Sequence, residues 1–522
     1  MTKRSVRNLA FALLASPLLW VGCSSDDNNN NGTGGTGGSD AGGAGGAKLD
    51  AHPDSSSAPD TITSAEVGHD LDATVVPDTG PLADASVPDA PAPLDTASDV
   101  AVAPLDVAAP DAPAPVDTLT VDTGAVDTGT VACAIVPAFV GGPITGPLTL
   151  TKACSPYTIT DNIQIDGSSA VLTIEPGVTL NFEQDIGINV GESGAGKLVA
   201  VGTAQSPITF TSAASTPSDG DWSNVYFWGG TMGGSQLAYA KLDYCGSGGY
   251  GCIAGFSVKP NRVTIDHVTI AHVGAGSNGI TEFDADSNFV ITNSTLGASA
   301  RGYAISAQAP SFAGIGATNT FTDGATIELG GGTVSTTTSW VDPGTAIAVT
   351  SALIVDGPTT PVLTIGPGMT FKFGVDLALG VGYSDGGKLV IAGTAAKHVV
   401  LTSASSSPSQ GDWKAIQVWG SGKATISYAD ISYAGSDGKT GGAVILEEGN
   451  STSQLLVDHT SLTNSLGYGV YLPCIDVTQT PLAQVTIDAT NTYAHNAVDT
   501  ANANPKEANV GPGLDNNAAS CQ

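Results

Sequence analysis

Two adjacent Asp-His pairs are the first residues in this chain whose types could perform chemistry. Asp266-His267 stands in VTIDHVTI, and Asp458-His459 stands in LLVDHTSL. A histidine beside a carboxylate is suited to acid–base catalysis or to metal binding. A 26-residue period, however, gives the position of His267 to other polar residues, namely Lys241, Asn293 and Asn319. We therefore expect a ladder of corner residues that hydrogen-bond neighbouring turns of the chain.

A run of alternating carboxylates forms the second group. Glu282, Asp284 and Asp286 alternate in TEFDADS, so a strand would project all three from one side. Three converging carboxylates are typical ligands of calcium, the one cofactor that the sequence suggests. A solvated acidic patch is the alternative.

Outward aromatic residues form the third group. In DWSNVYFWGG, alternation places Tyr226 and Trp228 outside, and in DWKAIQVWGS it places Trp419 outside. Trp222 and Trp413 stand at the preceding corners. Such rings on a flat protein face can stack against sugar rings. Packing of each ring beneath its own loop is the alternative.

A duplication organises the elements that carry these residues. Residues 172–222 return at 363–413 with a constant offset of 191 residues, and 27 of the 51 aligned positions are identical. Apolar residues alternate within each copy, and Gly, Pro, Asn or Asp separate the short runs. This pattern predicts short strands with one buried face, joined by turns.

The 26-residue period gives the architecture. Leu237, Val263, Phe289 and Ile315 are each 26 residues apart. A period of this length in short strands predicts one β-solenoid coil per repeat, with equivalent strands stacked about 4.8 Å apart. We predict a first half at residues 132–342 and a second half at 343–522, stacked on the first as one body.

The elements LTIEPGVTLNF, GKLVAVGTA, ITFTS and GDW resemble bacterial surface proteins of the right-handed parallel β-helix, or pectin-lyase-like, class. The resemblance implies an all-β fold over roughly residues 155–500. The class includes polysaccharide lyases, hydrolases, adhesins and proteins without known chemistry, so it does not assign a reaction. We find no hydrolase signature and no GxSxG, and after residue 131 the only arginines are Arg262 and Arg301. Catalytic residues are therefore not identified.

The N-terminal region predicts export and lipid anchoring. Three basic residues and the short apolar run 9–21 are typical of a signal peptide at residues 1–22. The sequence VGCSS resembles a bacterial lipobox, which implies acylation of Cys23, although Trp20 stands where that motif usually has Leu. Residues 23–131 are rich in Gly, Asp, Ala and Pro, and we expect a disordered acidic tether.

Charge and cysteine content limit the partners. The net charge is −32 with 17 Lys and Arg, which disfavours nucleic acid. Six cysteines besides Cys23 imply disulfides, and fifteen pairings are possible. Proximity along the chain favours Cys133–Cys154, Cys245–Cys252 and Cys474–Cys521. No CxxC spacing indicates a zinc site.

These features predict a lipoprotein of the outer membrane or cell surface. Its β-helix would bind or scaffold carbohydrate or another surface component. A polysaccharide lyase or hydrolase on the same fold, or a purely structural spacer, remains the alternative.

Cys23→Ser tests the anchor. Because the thiol is the expected site of acylation, the variant should move from the membrane fraction to the soluble fraction and incorporate no labelled palmitate. A variant that stays in the membrane fraction, together with a wild-type chain that takes up no label, would contradict this assignment.

Overall fold

A computed structural model describes residue 133 and residues 139–260, 262–285, 289–447, 452–472 and 484–498. The expected leader, Cys23 and the tether lie outside the described residues, as do Asp286, Cys474 and Cys521. The described chain is an all-β parallel β-solenoid, which confirms the predicted fold class. Its helices are short 3-10 turns at Lys152–Cys154, Ser247–Gly249, Ala309–Gly314 and Gly438–Thr440. Within the described ranges, no helix has the length and apolar character needed to cross a membrane.

The strands are short because each covers only one side of a coil. In the first half they are β1 (Gly142–Ile144), β2 (Pro147–Leu150), β3 (Tyr157–Ile159), β4 (Ile163–Ile165), β5 (Val171–Ile174), β6 (Thr179–Phe182), β7 (Ile188–Val190), β8 (Lys197–Val201), β9 (Ile208–Ser212), β10 (Val225–Phe227), β11 (Ser235–Asp243), β12 (Ile253–Gly255), β13 (Val263–Ala271), β14 (Ile280–Glu282), β15 (Phe289–Thr292), β16 (Thr295–Leu296), β17 (Tyr303–Ala307), β18 (Thr320–Phe321) and β19 (Thr326–Leu329).

The second half continues the same pattern of three sides per coil. Its strands are β20 (Gly332–Val334), β21 (Thr338–Trp340), β22 (Ile347–Val349), β23 (Leu353–Val355), β24 (Val362–Ile365), β25 (Thr370–Phe373), β26 (Leu379–Val381), β27 (Lys388–Ala392), β28 (Val399–Ser403), β29 (Ile416–Trp419), β30 (Lys423–Ser427), β31 (Ala429–Ser432), β32 (Gly442–Glu447), β33 (Gln454–Asp458), β34 (Ser461–Thr463), β35 (Tyr468–Tyr471), β36 (Gln484–Ile487) and β37 (Thr492–Ala494).

One sheet runs through both halves, and we call it the long face. Its 14 strands are β1, β4, β7, β10, β12, β14, β17, β19, β22, β25, β28, β31, β34 and β37, in that order. In each coil the chain leaves the long face, crosses a second and a third face, and returns. An 11-stranded sheet bends over these two faces in the first half, and two six-stranded sheets form them in the second half.

The two copies of the repeat do not use the same faces. Strand β10 lies in the long face, but β29, which is its equivalent 191 residues later, lies in the second face. Likewise β7 corresponds to β26, and β6, on the third face, corresponds to β25 on the long face. The first copy therefore ends one side after a whole number of coils. The second copy is turned by one face, a consequence that the 191-residue offset alone does not reveal.

The interior follows the alternation that the sequence predicts. Each strand sends alternate apolar side chains inward, as in β6, where Leu180 and Phe182 are fully buried. Parallel pairing stacks each inward residue on its equivalent in the next coil, so that burial continues along the axis. Aromatic rings also stack across coils, with 4.5 Å between the centroids of Phe182 and Trp222 and 4.4 Å for Phe373 and Trp413.

Strand register corrects the coil phase inferred from the 26-residue period. Because Ala238 pairs with Asp266 and Ala240 with Val268, His267 stands opposite Tyr239 and not opposite Lys241. Asn293 does occupy the same corner, but Thr295 pairs with Thr320, so Asn319 lies one position further along. The early coils contain 28 or more residues at this point, and a constant period could not align them.

The long face crosses the boundary between the predicted halves without a break. Strand β19 pairs with β22 through Ile327 and Ile347. Between them Trp340 is 1% exposed, and its ring centroid lies 4.7 Å from that of Phe312 and 6.2 Å from that of Phe371. Trp340 therefore packs against both copies of the repeat.

Limited proteolysis tests the role of this tryptophan. We expect residues 335–350 to resist cleavage in the wild-type chain. Trp340→Ala should lower the free energy of unfolding by about 3–5 kcal/mol and make the same segment sensitive, because it empties a large buried volume. Tyr383→Ala, which removes an exposed ring, is the control and should remain resistant. Rapid cleavage of the wild type at 335–350 into two folded fragments would show that the halves are separate bodies.

Candidate functional site

Five aromatic side chains meet on the outside of the long face, and we call them the aromatic patch. They are Tyr226, Trp228, Tyr250, Phe256 and Phe283. The rings of Tyr226 and Trp228 stack with centroids 4.1 Å apart, and each other neighbouring pair is 5.9 to 6.3 Å apart. Tyr250 is 50% exposed and Phe256 is 44% exposed.

Strand alternation explains why these rings lie together. Tyr226 follows inward Val225 on β10 and points outward, as the sequence predicts, and Trp228 does so two residues later. Tyr226 pairs with Ala254, which pairs with Thr281 in the next coil. Ala254 and Thr281 also point outward, yet they are buried. Side chains above the sheet therefore cover them, and they form the floor of the patch.

A disulfide holds one side of the patch in place. Cys245 and Cys252 close the six-residue loop 246–251, which carries Tyr250. A Cβ atom added to Gly251, where φ is +92°, would lie 2.9 Å from Thr281 Oγ1, so the loop rests on the floor of the patch. Cys133 pairs with Cys154 at the start of the solenoid. These are two of the three pairs expected from proximity along the chain.

Polar groups surround the rings. Trp228 Nε1 donates to Asn189 Oδ1 at 3.3 Å, and Asp284 Oδ2 accepts from the amide and hydroxyl of Ser257 at 2.8 and 3.1 Å. Burial, the neighbouring Tyr250 and the carboxylates of Asp284 and Glu192 raise the pKa of Tyr226 to about 12. The Tyr226 hydroxyl is therefore neutral at physiological pH and can donate a hydrogen bond.

The other predicted aromatic residues divide into two classes. Trp419 lies on the outside of β29, as expected. Trp222 and Trp413 are wrong as ligand-binding candidates, because both are fully buried. Their indole N–H groups donate to the backbone carbonyls of Asp243 and Ser432, at 2.7 and 2.8 Å.

The expected calcium site does not form among the described residues. Glu282 pairs with Gly255 and Phe227, whose positions face the core, and it is 0% exposed. It therefore points away from Asp284, which bonds to Ser257. A single extra residue at a corner reverses the side of a strand on which the next residues project. Asp286 lies outside the described residues, and the described chain holds no group of three or more potential metal ligands.

Glu282 is an acid inside an apolar core. Burial raises its pKa well above the usual value, although the Phe289 amide, 3.2 Å from Oε2, and the Ser311 side chain both hydrogen-bond it. Among the described residues, nothing hydrogen-bonds its Oε1. The side chain is therefore held in its protonated form beneath β14, close to the aromatic patch.

The two Asp-His pairs take part in corner ladders. His267 Nδ1 lies 2.7 Å from Asp266, and the His267 ring stacks on Tyr239 of the preceding coil at 4.3 Å. Against the effect of burial, hydrogen bonds from His267, Asn293 and Thr292 lower the pKa of Asp266. His459 repeats the arrangement with Asp458 at 3.0 Å and Tyr428 at 4.5 Å. Tyr239 and His267 have φ values of +45° and +52°, so a backbone bend fixes both rings.

A groove on the third face contains a histidine that the sequence analysis missed. It encloses about 670 Å³ and includes Asp219, His272 and Asp323 in its lining. His272 Nδ1 lies 2.6 Å from Asp243, and its ring stacks on Tyr244 at 4.6 Å. The spacing of five residues from His267 could have indicated it, because both histidines end a side of the same coil. The arginines named as possible catalytic bases are engaged elsewhere, Arg262 with Thr231 O at 2.6 Å and Arg301 with Glu328 at 3.4 Å.

Comparison with known proteins agrees with this architecture. The family model described as a pectate-lyase like beta helix domain matches residues 142–314, which contain the aromatic patch and the groove. No curated protein and no solved structure matches the chain. The fold is therefore a pectate-lyase-like parallel β-helix.

Glu282→Gln tests the buried acid. A raised pKa in the folded state means that Glu282 contributes its full stability below its unfolded pKa, near 4.3, and loses it as pH rises. The wild type should therefore lose up to about 1.4 kcal/mol per pH unit above that value, relative to the variant. Thermal unfolding between pH 4 and pH 9 measures the difference.

The matched control is Glu183→Gln, which changes an exposed glutamate of the same half. It should keep the pH dependence of the wild type. Parallel curves for wild type and Glu282→Gln would show that Glu282 is not buried as a neutral acid.

Proposed function

We propose that this protein is a lipid-anchored surface protein whose β-helix binds uncharged glycans through the aromatic patch. The observation that carries the proposal is the set of five outward rings on a floor of buried small residues. Pyranose rings have apolar faces that stack on aromatic side chains, and their hydroxyls need hydrogen-bond partners at the edge. The Tyr226 hydroxyl and the carboxylates at the rim supply such partners.

Rigidity supports binding. Tyr226 and Trp228 stand on a strand paired on both sides, and a disulfide closes the loop that carries Tyr250. A ligand would therefore meet rings that are already in position, which reduces the entropy lost on binding.

Charge favours an uncharged ligand. Glu192 and Asp284 flank Tyr226, and they raise the pKa of its hydroxyl. The chain as a whole carries a net charge of −32. An anionic polymer such as a polyuronate would meet repulsion at this rim, whereas a neutral glycan would not.

The N-terminal sequence suggests how the site would be presented. Acylation of Cys23 would fix the chain to the outer membrane, and residues 23–131 would separate the solenoid from the lipid. Fully extended, about one hundred residues reach roughly 300 Å. The β-helix would then contact polymers beyond the membrane surface.

A second candidate function is polysaccharide cleavage. The groove that contains His272, Asp219 and Asp323 favours it, because an imidazole held by Asp243 is suited to general acid–base catalysis. On this hypothesis the patch would hold the polymer and the groove would cut it.

Trp228→Ala tests the proposed binding. The full chain should bind at least one of three neutral polymers, hydroxyethylcellulose, laminarin or dextran, and should not bind polygalacturonate. Removing the indole should weaken binding at least about tenfold, because a central aromatic contact contributes more than 1.4 kcal/mol. Affinity electrophoresis measures the change.

Two control variants separate stacking from folding. Trp228→Phe keeps a ring and should retain part of the affinity, and Tyr239→Ala removes a ring from a corner outside the patch and should retain all of it. Binding to polygalacturonate alone, or to no polymer, would contradict the proposal. New reducing or unsaturated ends in the same incubations would favour the enzyme, and His272→Ala should then abolish them.

A further inference from the structure

The second half has an aromatic site of its own. Tyr383 is 67% exposed, and its ring centroid lies 5.7 Å from that of Trp419, in an edge-to-face arrangement. Trp419 is the equivalent of Trp228, 191 residues later. The pair therefore stands where the first copy of the repeat has the centre of the aromatic patch.

The tyrosine at this second site was not inherited with the tryptophan. Glu192 occupies the position equivalent to Tyr383, and Gln417 occupies the position equivalent to Tyr226. Each half thus pairs the same tryptophan with a tyrosine, but takes that tyrosine from a different strand or turn. Duplication alone explains the tryptophan and not the tyrosine, so the pair points to a shared use.

The backbone holds the second pair together. Gly382 directly precedes Tyr383, and a Cβ atom added to it would lie 2.4 Å from Gly422 Cα in the turn after Trp419. The amide of Gly422 donates to Trp419 O at 2.6 Å, which closes that turn. Only glycine permits this approach, so the contact between the two turns sets Tyr383 beside Trp419.

The shift of one face separates the two sites. Trp228 extends β10 on the long face, and Trp419 ends β29 on the second face. Counting strands along the sheets gives seven coils and one side between them, roughly 35 Å at the stacking distance of parallel strands. The sites therefore face different directions, and one stiff polymer chain cannot lie across both.

We propose that Tyr383 and Trp419 form a second glycan site, and that the two sites hold separate glycan chains, so that one molecule cross-links two polymers. This proposal rests on the proposed function of the aromatic patch. Two sites on one rigid body that face apart cannot both serve one short ligand, whereas they raise the avidity for a network of chains.

Calorimetry of the full chain tests the number of sites. The probe is a short oligosaccharide of whichever neutral polymer the full chain binds among hydroxyethylcellulose, laminarin and dextran. The wild type should bind two molecules per chain. Trp228→Ala and Trp419→Ala should each bind one, and the double variant none. Tyr383→Ala is a second test of the new site, because its exposed ring can be removed without loss of folding. Val375→Ala removes an exposed apolar side chain outside the pair and should bind two.

Light scattering tests cross-linking with the long polymer. The wild type should increase the scattering of the polymer solution at least about tenfold, and each single tryptophan variant should not, because one site cannot join two chains. Absence of binding by the wild type would refute the proposed function itself. One site that Trp228→Ala removes and Trp419→Ala leaves intact would support the proposed function and refute the second site. Two sites without increased scattering would refute cross-linking.

Discussion

Each coil of this solenoid can bury its inward side chains only against the coils on either side of it. A single coil has three short strands and no core of its own, so parallel pairing and interior stacking must repeat from one coil to the next. That requirement fixes the inward alternation of residues such as Leu180 and Phe182, and it explains why Trp340 packs against both copies of the repeat. The outward residues are free of this constraint, and the candidate sites lie among them.

The corners show how local backbone geometry turns the same repeat into different surfaces. Tyr239 and His267 have positive φ values and pass from one face to the next without a loop, which stacks their rings. In a neighbouring coil the chain instead forms the loop 246–251, and a disulfide holds it against the long face. Most of the chemistry-bearing side chains, including His272 and Tyr250, belong to these departures from a regular coil. Function on a solenoid therefore depends on where the repeat is interrupted.

Duplication followed by a shift of one face has a physical consequence. Two copies of a motif on one face would form a single row along the axis, suited to one long ligand. Here β10 and β29 lie on different faces, because the first copy contains one side more than a whole number of coils. The strands still pair across the boundary, since every face offers the same parallel hydrogen-bonding edge to the next coil. The fold thus accepts a rotation that changes the relation between the two sites.

The sequence by itself determined the solenoid class, the duplication, the inward alternation and the outward positions of Tyr226, Trp228 and Trp419, because these follow from local periodicity. It also indicated the two local disulfides that the structure contains. Sequence alone did not give the burial of Trp222, Trp413 and Glu282, the alignment of His267 with Tyr239, or the meeting of Tyr250 and Phe283 at one patch. Those features depend on the number of residues that each corner consumes. Corner length sets both the side on which later residues project and the face on which they lie, and only the packing of neighbouring coils decides it.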